Sequence, residues 1–453
     1  MRHKDIIQQM TLEEKAAIVG GADEWSTREY SRLDIPAMIM SDGPHGIRRQ
    51  AGAGDHLGLN ESLKATCFPT AATMANSWDE ALGEEVGQAL GDEAKVQGVN
   101  ILLGPGMNIK RSPLCGRNFE YFSEDPYLAG KMAASYVRGI QSQGVYSCIK
   151  HFAVNSQEER RMAMNAVVDE RTLREIYLTG FEIAVKDGGA RAIMTSYNML
   201  NGTYTNENMH LLRDILRGEW GFDGVVITDW GGSNDHVAGV RAGSDLEMPA
   251  PGLGSARLLI DAVAAGELDE STIDERVDEL LDAILTTTKA AQGHAQSFDI
   301  EAHHKLARRA ATESAVLLKN EDSILPLASG CKVAVIGDFA FVPRYQGAGS
   351  SVVNTTKLET IAEQIIADKH FDVVGMARGY ERNEGPNEVL KNEALELAKT
   401  ADTVLFFFGL DEISESEGLD RKHMKLPEAQ SDLLLAIAGV NPNVVGIISA
   451  GSS

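Results

Sequence analysis

The sequence predicts an α/β protein with a (β/α)₈ barrel, or a variant of one, followed by a second and smaller α/β domain. The first 285 residues alternate short apolar runs with amphipathic helical stretches, which is the pattern of parallel βα units. Most of those apolar runs end in polar or charged residues. After residue 300, further apolar runs alternate with helices, and a length of 453 residues accommodates two domains.

The first domain is predicted over residues 1–285 from seven strand candidates separated by helices. Helical periodicity is clearest at 80–97 and 209–220. Seven or eight such units indicate a closed barrel, with an open, doubly wound sheet as the alternative. The strand candidates are AMIMSD (37–42), CFPTAAT (67–73), NILLGPGMNI (100–109), YSCIKHFAVN (146–155), RAIMTSYN (191–198), GVVITDW (224–230) and SDLEM (244–248).

The polar strand ends favour the barrel. In barrel enzymes the carboxyl ends of all the strands converge on one mouth, where the catalytic groups lie. Asp229 follows the aliphatic run 225–227 after a single threonine, and a buried carboxylate is costly unless it is paired or hydrogen-bonded. We therefore expect Asp229 at the rim rather than in the core. The other polar strand ends are Ser41-Asp42, Lys150-His151, Ser196-Tyr197-Asn198 and Glu247.

A polar linker is predicted over 286–300, and the second domain over 301–453. This domain begins with a helix at 301–318 and continues with strands at 332–338, 371–377, 403–409 and 444–451. Helices at 360–369 and 389–400 separate them, which predicts a small parallel sheet. The chain ends directly after the last strand, where βα architecture would add a helix. We expect a missing C-terminal segment or a second polypeptide to complete this domain.

The composition excludes several classes of function. With 42 Lys and Arg against 66 Asp and Glu, the net charge of −24 argues against nucleic acid or an anionic membrane as the main partner. The four cysteines form no CxxC motif or cluster with histidine, so no zinc site is expected. Scattered thiols fit a reducing compartment, and the N-terminus has no apolar signal core. We expect a cytoplasmic protein.

The acids and cations at the strand ends suit the hydrolysis of a glycosidic bond. That reaction needs one carboxylate at the anomeric carbon and one proton donor for the leaving oxygen. Asp229 suits the first role, although an Asp after a strand also caps the following helix about as often. Lys150, His151, Arg160 and Arg161 can donate to sugar hydroxyls, or belong to a solvated charged loop. Asp42 can accept two sugar hydroxyls, or stabilise a turn.

Three loops have both a functional and a structural interpretation. GRNFEYFSEDP (116–126) is typical of the rim around a polar ligand, or of a loop in which Arg117 pairs with Glu120 or Glu124. YQGAGSSVV (345–353) is glycine-rich but lacks the order of a phosphate-binding loop. GLDEISESEGLDRKHMKLP (409–427) is either a charged surface run or a shaped loop that leans over another domain.

Taken together, these motifs resemble glycoside hydrolase family 3, the β-glucosidase-type enzymes. None of them is specific alone, but eight stretches spread over residues 35–430 occur in the family's order. The resemblance implies a TIM-like barrel followed by an α/β sandwich domain, with the active site in the cleft between them. The matching stretches are SDGPHGIR, GRNFEYFSEDP, KHFAVNSQEERR, IMTSYN, VITDWGG, LLKNEDSILPL, GAGSS and SESEGLDR.

The resemblance also implies roles for individual residues. Asp229 matches the nucleophile, and Glu417 matches the general acid/base, with Glu415 of the same ESE triplet as its rival. Asp42 resembles the residue that grips hydroxyls of the non-reducing sugar. The remaining matches surround the sugar: Arg117, Lys150, His151, Arg161, Met194, Tyr197, Trp230 and Ser350.

The implied activity is that of a retaining, exo-acting β-glucosidase that releases terminal glucosyl residues by double displacement, without a metal or cofactor. A β-xylosidase or α-arabinofuranosidase of the same family is the alternative. Two rival interpretations come from other classes of protein. A non-catalytic sugar-binding relative would have no need of the proton donor Glu417. A Schiff-base aldolase would form an imine on Lys150 that borohydride traps, and we expect no such trapping.

Overall fold

The structure, a computed structural model, describes residues 1–50, 52, 61–292, 296–383 and 385–452. The described chain divides into two units. Unit 1 consists of Met1–Ser112, Glu120–Ser314 and Gly349–Thr356. Unit 2 consists of Pro113–Phe119, Ala315–Ala348 and Lys357–Ser453.

The main sheet of unit 1 contains five parallel strands in the order β1-β2-β3-β5-β8. The order follows the sequence, as expected when each strand is followed by a helix that crosses over to the next strand. A small sheet, β4-β6-β7, lies in the connections. The strands are β1 Met40–Asp42, β2 Ile101–Leu103, β3 Tyr146–Phe152, β4 Asn165–Ala166, β5 Ala192–Thr195, β6 Met199–Leu200, β7 Thr203–Tyr204 and β8 Val225–Ile227.

Single bridges continue the main sheet beyond β8. Leu246 pairs with Ile227 in parallel, and Glu247 pairs in the same way with Gly20. An antiparallel bridge then joins Ser26 to Ile39, next to the start of β1. The predicted TIM-like architecture is therefore confirmed in the order and direction of these strands, while only isolated bridges lie between β8 and β1.

The helices of unit 1 lie between the strands, as the amphipathic stretches predicted. Asp79 caps α4, and Asp125 caps α5 with a proline at the first helical position. These two helices approach closely, since a Cβ at Gly87 would lie 2.7 Å from the carbonyl oxygen of Tyr136. The helices are α1 Lys4–Ile7, α2 Leu12–Ile18, α3 Ala71–Met74, α4 Glu80–Val96, α5 Pro126–Ser142, α6 Glu170–Thr172, α7 Thr179–Lys186, α8 His236–Ala242, α9 Leu253–Ala264, α10 Glu270–Ala290 and α11 Ile300–Glu313. Two π-helical segments, Leu173–Leu178 and His210–Glu219, and the 3₁₀ turns Ser31–Leu33, Ala75–Ser77 and Thr205–Glu207 complete the unit.

Both faces of the main sheet are buried, which explains why its strands are continuously apolar. Along β8, Val225 and Ile227 belong to one hydrophobic cluster, and Val226 belongs to the other. Side chains alternate along a strand, so Asp229 continues the row of Val225 and Ile227 beyond the carboxyl end of β8. The carboxylate of Asp229 therefore lies at the edge of a packed core.

A buried carboxylate fixes β8 from the side. Asp245 is fully buried, and its carboxylate accepts a hydrogen bond from the Val226 amide at 2.7 Å. It also pairs with Arg217 at 2.8 Å and Arg276 at 3.0 Å. Asp245→Ala is therefore expected to lower the free energy of unfolding by about 3 kcal/mol, because the buried Arg276 and the partly buried Arg217 lose a partner. Thermal and denaturant unfolding of the whole chain measure this loss.

A matched control lies in the same cluster. Glu275 pairs with Arg276 at 3.5 Å, but its side chain is 51% exposed. Glu275→Gln is expected to change the free energy of unfolding by no more than about 0.5 kcal/mol. Equal stability of Asp245→Ala and Glu275→Gln would contradict the assignment of Asp245 as the anchor of β8.

Unit 2 contains a four-stranded parallel sheet in the order β10-β9-β11-β12. Its central strands, β9 and β11, are almost completely buried, whereas β12 is half-exposed along its length. The elements are β9 Lys332–Ile336, α12 Ile361–Asp368, β10 Asp372–Ala377, α13 Glu388–Ala398, β11 Thr403–Gly409, α14 Glu428–Val440 and β12 Val444–Ser449, with 3₁₀ turns at Glu321–Ser323 and Asp338–Ala340. A further 3₁₀ turn, Asn118–Glu120, lies at a boundary between the two units.

Two predicted strands of unit 1 are wrong. Residues 67–73 form no strand: they run as buried coil into α3, and Pro69 cannot donate to a sheet ladder. Residues 244–248 contribute only the single bridges of Leu246 and Glu247.

The first predicted helix of the second domain also ends early. The helix α11 stops at Glu313, and residues 315–318 continue as exposed, non-helical chain. Helix α10 extends to Ala290, so the predicted linker over 286–300 begins within a helix, and its residues 293–295 lie outside the described chain.

The two units exchange short segments, which differs from the predicted boundaries. Gly349–Thr356 belongs to unit 1, where Ala65 donates its amide to Asn354 and accepts from the amide of Thr356. Pro113–Phe119 belongs to unit 2, where the Gly116 amide donates to Asp420 at 3.0 Å. The helix α11 also groups with unit 1. No helix in the described part of the chain is both long enough and apolar enough to cross a bilayer.

Candidate active site

Asp229 follows β8 at the carboxyl edge of the main sheet, as predicted. The residue is 9% exposed, and its Oδ1 accepts a hydrogen bond from the Trp230 amide at 2.8 Å. The backbone turns at once, because the Gly232 amide donates to the Asp229 carbonyl at 2.8 Å and Gly231 adopts a positive φ of 79°. One carboxylate oxygen is thereby fixed by the chain itself, and Oδ2 lies 3.7 Å from Nε2 of His151.

The His151 ring is held by two residues that the sequence analysis did not select. Asn108 accepts the His151 amide hydrogen at 2.7 Å and donates to the His151 carbonyl at 2.8 Å. Nδ1 of the ring lies 3.2 Å from both Asn108 Oδ1 and the Tyr121 hydroxyl. When the tyrosine donates to Nδ1, Nε2 carries the hydrogen that faces Asp229. In that tautomer the carboxylate faces a hydrogen-bond donor rather than a lone pair.

A second buried ion pair joins two other strand ends. Nζ of Lys150, at the end of β3, lies 3.5 Å from Oδ1 of Asp42, the last residue of β1. Both side chains are more than nine-tenths buried, and each compensates the charge of the other. Asp42 is also fixed through its backbone, since its carbonyl accepts the Arg48 amide at 2.9 Å. A carboxylate placed in this way can accept hydroxyl hydrogens from a ligand.

Aromatic side chains and an arginine surround the next strand end. The guanidinium of Arg161 lies 4.8 Å above the ring of Tyr197 and pairs with Glu158 at 2.7 Å. The Tyr197 hydroxyl donates to the Trp230 carbonyl at 2.9 Å. The Trp230 ring lies 5.1 Å from that of Trp25. This edge therefore presents flat apolar surfaces beside charged donors, a combination suited to a sugar ring.

Two of the predicted residues of unit 1 have other surroundings. Met194 is buried within β5, opposite Ile227, as part of the hydrophobic cluster below Asp229. Ser350, predicted from the sequence to lie in the second domain, lies in the segment that groups with unit 1. Its carbonyl accepts a hydrogen bond from Arg48 at 3.0 Å.

Unit 2 contains the predicted proton donor and one of the predicted sugar-binding residues. Glu417 lies 3.7 Å from the guanidinium of Arg117, which is fully buried. The Glu417 side chain keeps 15% of its surface exposed. Its rival, Glu415, is 1% exposed and pairs with Arg344 at 2.6 Å. Of the two, Glu417 is the carboxyl group with access to solvent.

The structure brings most of the predicted residues of unit 1 together. Asp42, Asp229 and Trp230 lie at or just beyond the carboxyl ends of parallel strands, and Lys150 and His151 lie in the last three residues of β3. No group of three or more metal-ligating side chains occurs within the described chain. The chemistry available at this edge is that of carboxylates, cations and aromatic surfaces.

The chain matches two family models over almost its whole length. Residues 6–283 match the glycosyl hydrolase family 3 N-terminal domain, and residues 315–453 match the C-terminal domain of the same family. Among curated proteins, thermostable beta-glucosidase B of Acetivibrio thermocellus is 50% identical over 99% of this chain. An exo-alpha-(1->6)-L-arabinopyranosidase of Bifidobacterium breve is 43% identical over 98% of it. The chain spans 60% of the length of each of these relatives.

Solved structures of beta-glucosidases are also similar to this chain. The GH3 beta-glucosidase of Bifidobacterium adolescentis aligns with a TM-score of 0.92 and 42% identity, over 98% of this chain and 64% of its own. Beta-glucosidase 3B of Thermotoga neapolitana, solved with alpha-D-glucose, aligns with a TM-score of 0.89 and 34% identity, over 99% of this chain and 69% of its own.

Proposed function

The chain belongs to glycoside hydrolase family 3, and on this premise we propose that it is a retaining, exo-acting β-glucosidase that releases terminal non-reducing β-D-glucosyl residues. The observation that carries the proposal is the carboxylate of Asp229. It extends from a rigid strand end, is oriented by the Trp230 amide, and faces His151 at 3.7 Å. A carboxylate fixed in this way is suited to attack on an anomeric carbon.

In the proposed first step, a carboxylate oxygen of Asp229 attacks the anomeric carbon and the bond to the aglycone oxygen breaks. Glu417 transfers its proton to that departing oxygen. In the second step, Glu417 removes a proton from water, the water oxygen attacks the anomeric carbon, and the bond to Asp229 breaks. Glucose leaves with its original β configuration, and both carboxyl groups return to their starting states.

We assign the acid/base role to Glu417 rather than to Glu415. A residue that exchanges protons with a leaving group and with water needs access to both, and the Glu417 side chain retains exposed surface. Glu415 is buried against Arg344, with 1% of its side chain exposed, and lacks that access.

Asp42 and Lys150 are assigned to the hydroxyl groups of the terminal sugar. An ion pair 3.5 Å apart at the strand ends leaves lone pairs and ammonium hydrogens that can bond neighbouring hydroxyls. Arg161, held over the Tyr197 ring, supplies a further donor. Trp230 offers an apolar surface to one face of the sugar ring.

A second candidate is the release of L-arabinopyranose, because a relative named for that activity is 43% identical to this chain. The test is a panel of p-nitrophenyl glycosides, assayed with the full-length protein: β-D-glucopyranoside, β-D-xylopyranoside, α-L-arabinofuranoside and α-L-arabinopyranoside. We expect the highest kcat/KM for the glucoside, with the β anomer of glucose as the first product in an NMR time course.

Each alternative gives a different result in this panel. If kcat/KM is highest for an arabinoside or for the xyloside, that sugar rather than glucose is the one the protein releases. Initial release of the α anomer would overturn the retaining mechanism. Glucose binding without hydrolysis of any glycoside would identify a non-catalytic sugar-binding protein.

A further inference from the structure

The carboxylate of Glu415 connects three segments of unit 2. Its Oε2 accepts a hydrogen bond from Nη2 of Arg344 at 2.6 Å. The backbone amide of Gly451, just after β12, donates to both carboxylate oxygens, at 2.8 and 2.9 Å. Glu415 and Arg344 are both buried, so the pair is shielded from water and from salt.

The fit around this carboxylate is tight on the side of Gly451. A Cβ at that position would lie 2.9 Å from Oε1 of Glu415 and 2.3 Å from the Cβ of Phe119. Only glycine lets the backbone amide approach the carboxylate this closely. The hydrogen bonds between the Glu415 carboxylate and the Gly451 amide therefore depend on the identity of both residues.

The backbone around Glu415 is fixed as well. The Ala348 amide donates to the Glu415 carbonyl at 3.2 Å, and the Glu417 amide donates to the Ala348 carbonyl at 3.0 Å. Residues on either side of Ser416 thus pair with one residue of a neighbouring segment. Before them, Oδ1 of Asp411 accepts from the Ser414 amide at 2.6 Å. The backbone of Glu417 can move only if this set of contacts breaks.

We propose that Glu415 is a positioning residue for Glu417: by tying its loop to Arg344 and to the Gly451 amide, it fixes where the proton donor stands. The inference rests on the proposed function, in which Glu417 protonates the leaving group. A buried charge with three directed hydrogen bonds holds a loop more precisely than apolar contacts do, because a shift of the loop leaves the charge unpaired.

The test separates proton donation from general loss of structure. The 2,4-dinitrophenolate group leaves its glucoside without protonation, whereas the methoxy group of a methyl glucoside must be protonated to leave. In Glu415→Gln, we expect kcat for methyl β-D-glucoside to fall roughly 10- to 100-fold, as a misplaced acid catalyst loses much of its effect. The kcat/KM for the dinitrophenyl glucoside, which reports the first step alone, should change little, because that step needs no proton. Arg344→Lys, which keeps the charge but removes the planar guanidinium that places Nη2 2.6 Å from the carboxylate, should give the same pattern.

Glu412 provides the matched control. It lies in the same loop and pairs with Arg382 at 2.8 Å, but its side chain is 35% exposed, and Arg382 retains Asp338 as a partner. Glu412→Gln should leave the ratio of the two rates as in the wild type.

Three outcomes would overturn the inference. An equal loss of kcat/KM for both substrates in Glu415→Gln and Arg344→Lys would indicate a merely structural role. Unchanged rates for both substrates in these variants would exclude any role in positioning. If the wild-type protein hydrolyses neither glucoside, the β-glucosidase proposal fails and this inference fails with it.

Discussion

Asp229→Asn is expected to abolish glucoside hydrolysis, with a loss of kcat on the order of 10⁴-fold or more, the scale seen when a covalent nucleophile is removed from a hydrolase. The substitution replaces one oxygen by an amide nitrogen and keeps the shape of the side chain. Its remaining oxygen can still accept the Trp230 amide hydrogen, so the turn after β8 should persist. What is lost is the negative charge and the electron pair that attacks carbon.

Covalent trapping tests this assignment directly. A 2-deoxy-2-fluoro-β-glucoside with a good leaving group slows the second step, so that the glycosyl–enzyme accumulates. Mass spectrometry of peptides should locate the label on Asp229. Asp235 is the control: it lies in the same connection and caps α8 by accepting the Ala238 amide at 2.9 Å. Asp235→Asn should retain activity, and label on any residue other than Asp229 would contradict the assignment.

Glu417→Ala is expected to lower kcat for alkyl glucosides by about 10²- to 10⁴-fold, the usual contribution of general acid catalysis. The loss should be much smaller in the first step for a dinitrophenyl glucoside, because that leaving group needs no proton. Removal of the base also slows the second step, and azide, a nucleophile that needs no deprotonation, should restore turnover by forming a glucosyl azide. Steady-state kinetics with and without azide measure both effects.

The pH dependence provides a second measure of Glu417. The rate of the wild-type protein should fall at high pH as the proton donor is lost, and this basic limb should disappear in Glu417→Gln. Glu412→Gln should keep the basic limb and should not respond to azide. A basic limb that survives in Glu417→Gln, together with no azide effect in Glu417→Ala, would move the acid/base role to another residue.

The sequence allowed the polar edge of the main sheet of unit 1 to be predicted because parallel strands place their carboxyl ends together. Asp42, His151 and Asp229 were identified by their position after apolar runs, and the structure places all three at such ends. Asn108 and Tyr121 were missed as the supports of His151. Their role depends on hydrogen bonds between strand ends that are far apart in sequence, and an Asn or Tyr in a loop carries no local signal of such bonds.

Other errors have equally specific causes. Residues 67–73 are apolar enough for a strand, but the run contains Pro69, and tertiary packing buries it as coil. Ser350 was assigned to the second domain because it follows β9 in sequence, although its segment groups with unit 1. The exchanged segments are seven and eight residues long by their bounds, Pro113–Phe119 and Gly349–Thr356, and no change in composition marks them.

The exchange of these segments constrains how the chain acquires its structure during synthesis on the ribosome. Val353 belongs to a hydrophobic cluster of unit 1, and the backbone of Ala65 forms its hydrogen bonds with Asn354 and Thr356. Unit 1 therefore remains unfinished until residue 356 has left the exit tunnel, when part of unit 2 has already emerged. The nascent chain cannot complete its two halves one after the other, and a gene cut between residues 285 and 300 would deprive both products of a native piece.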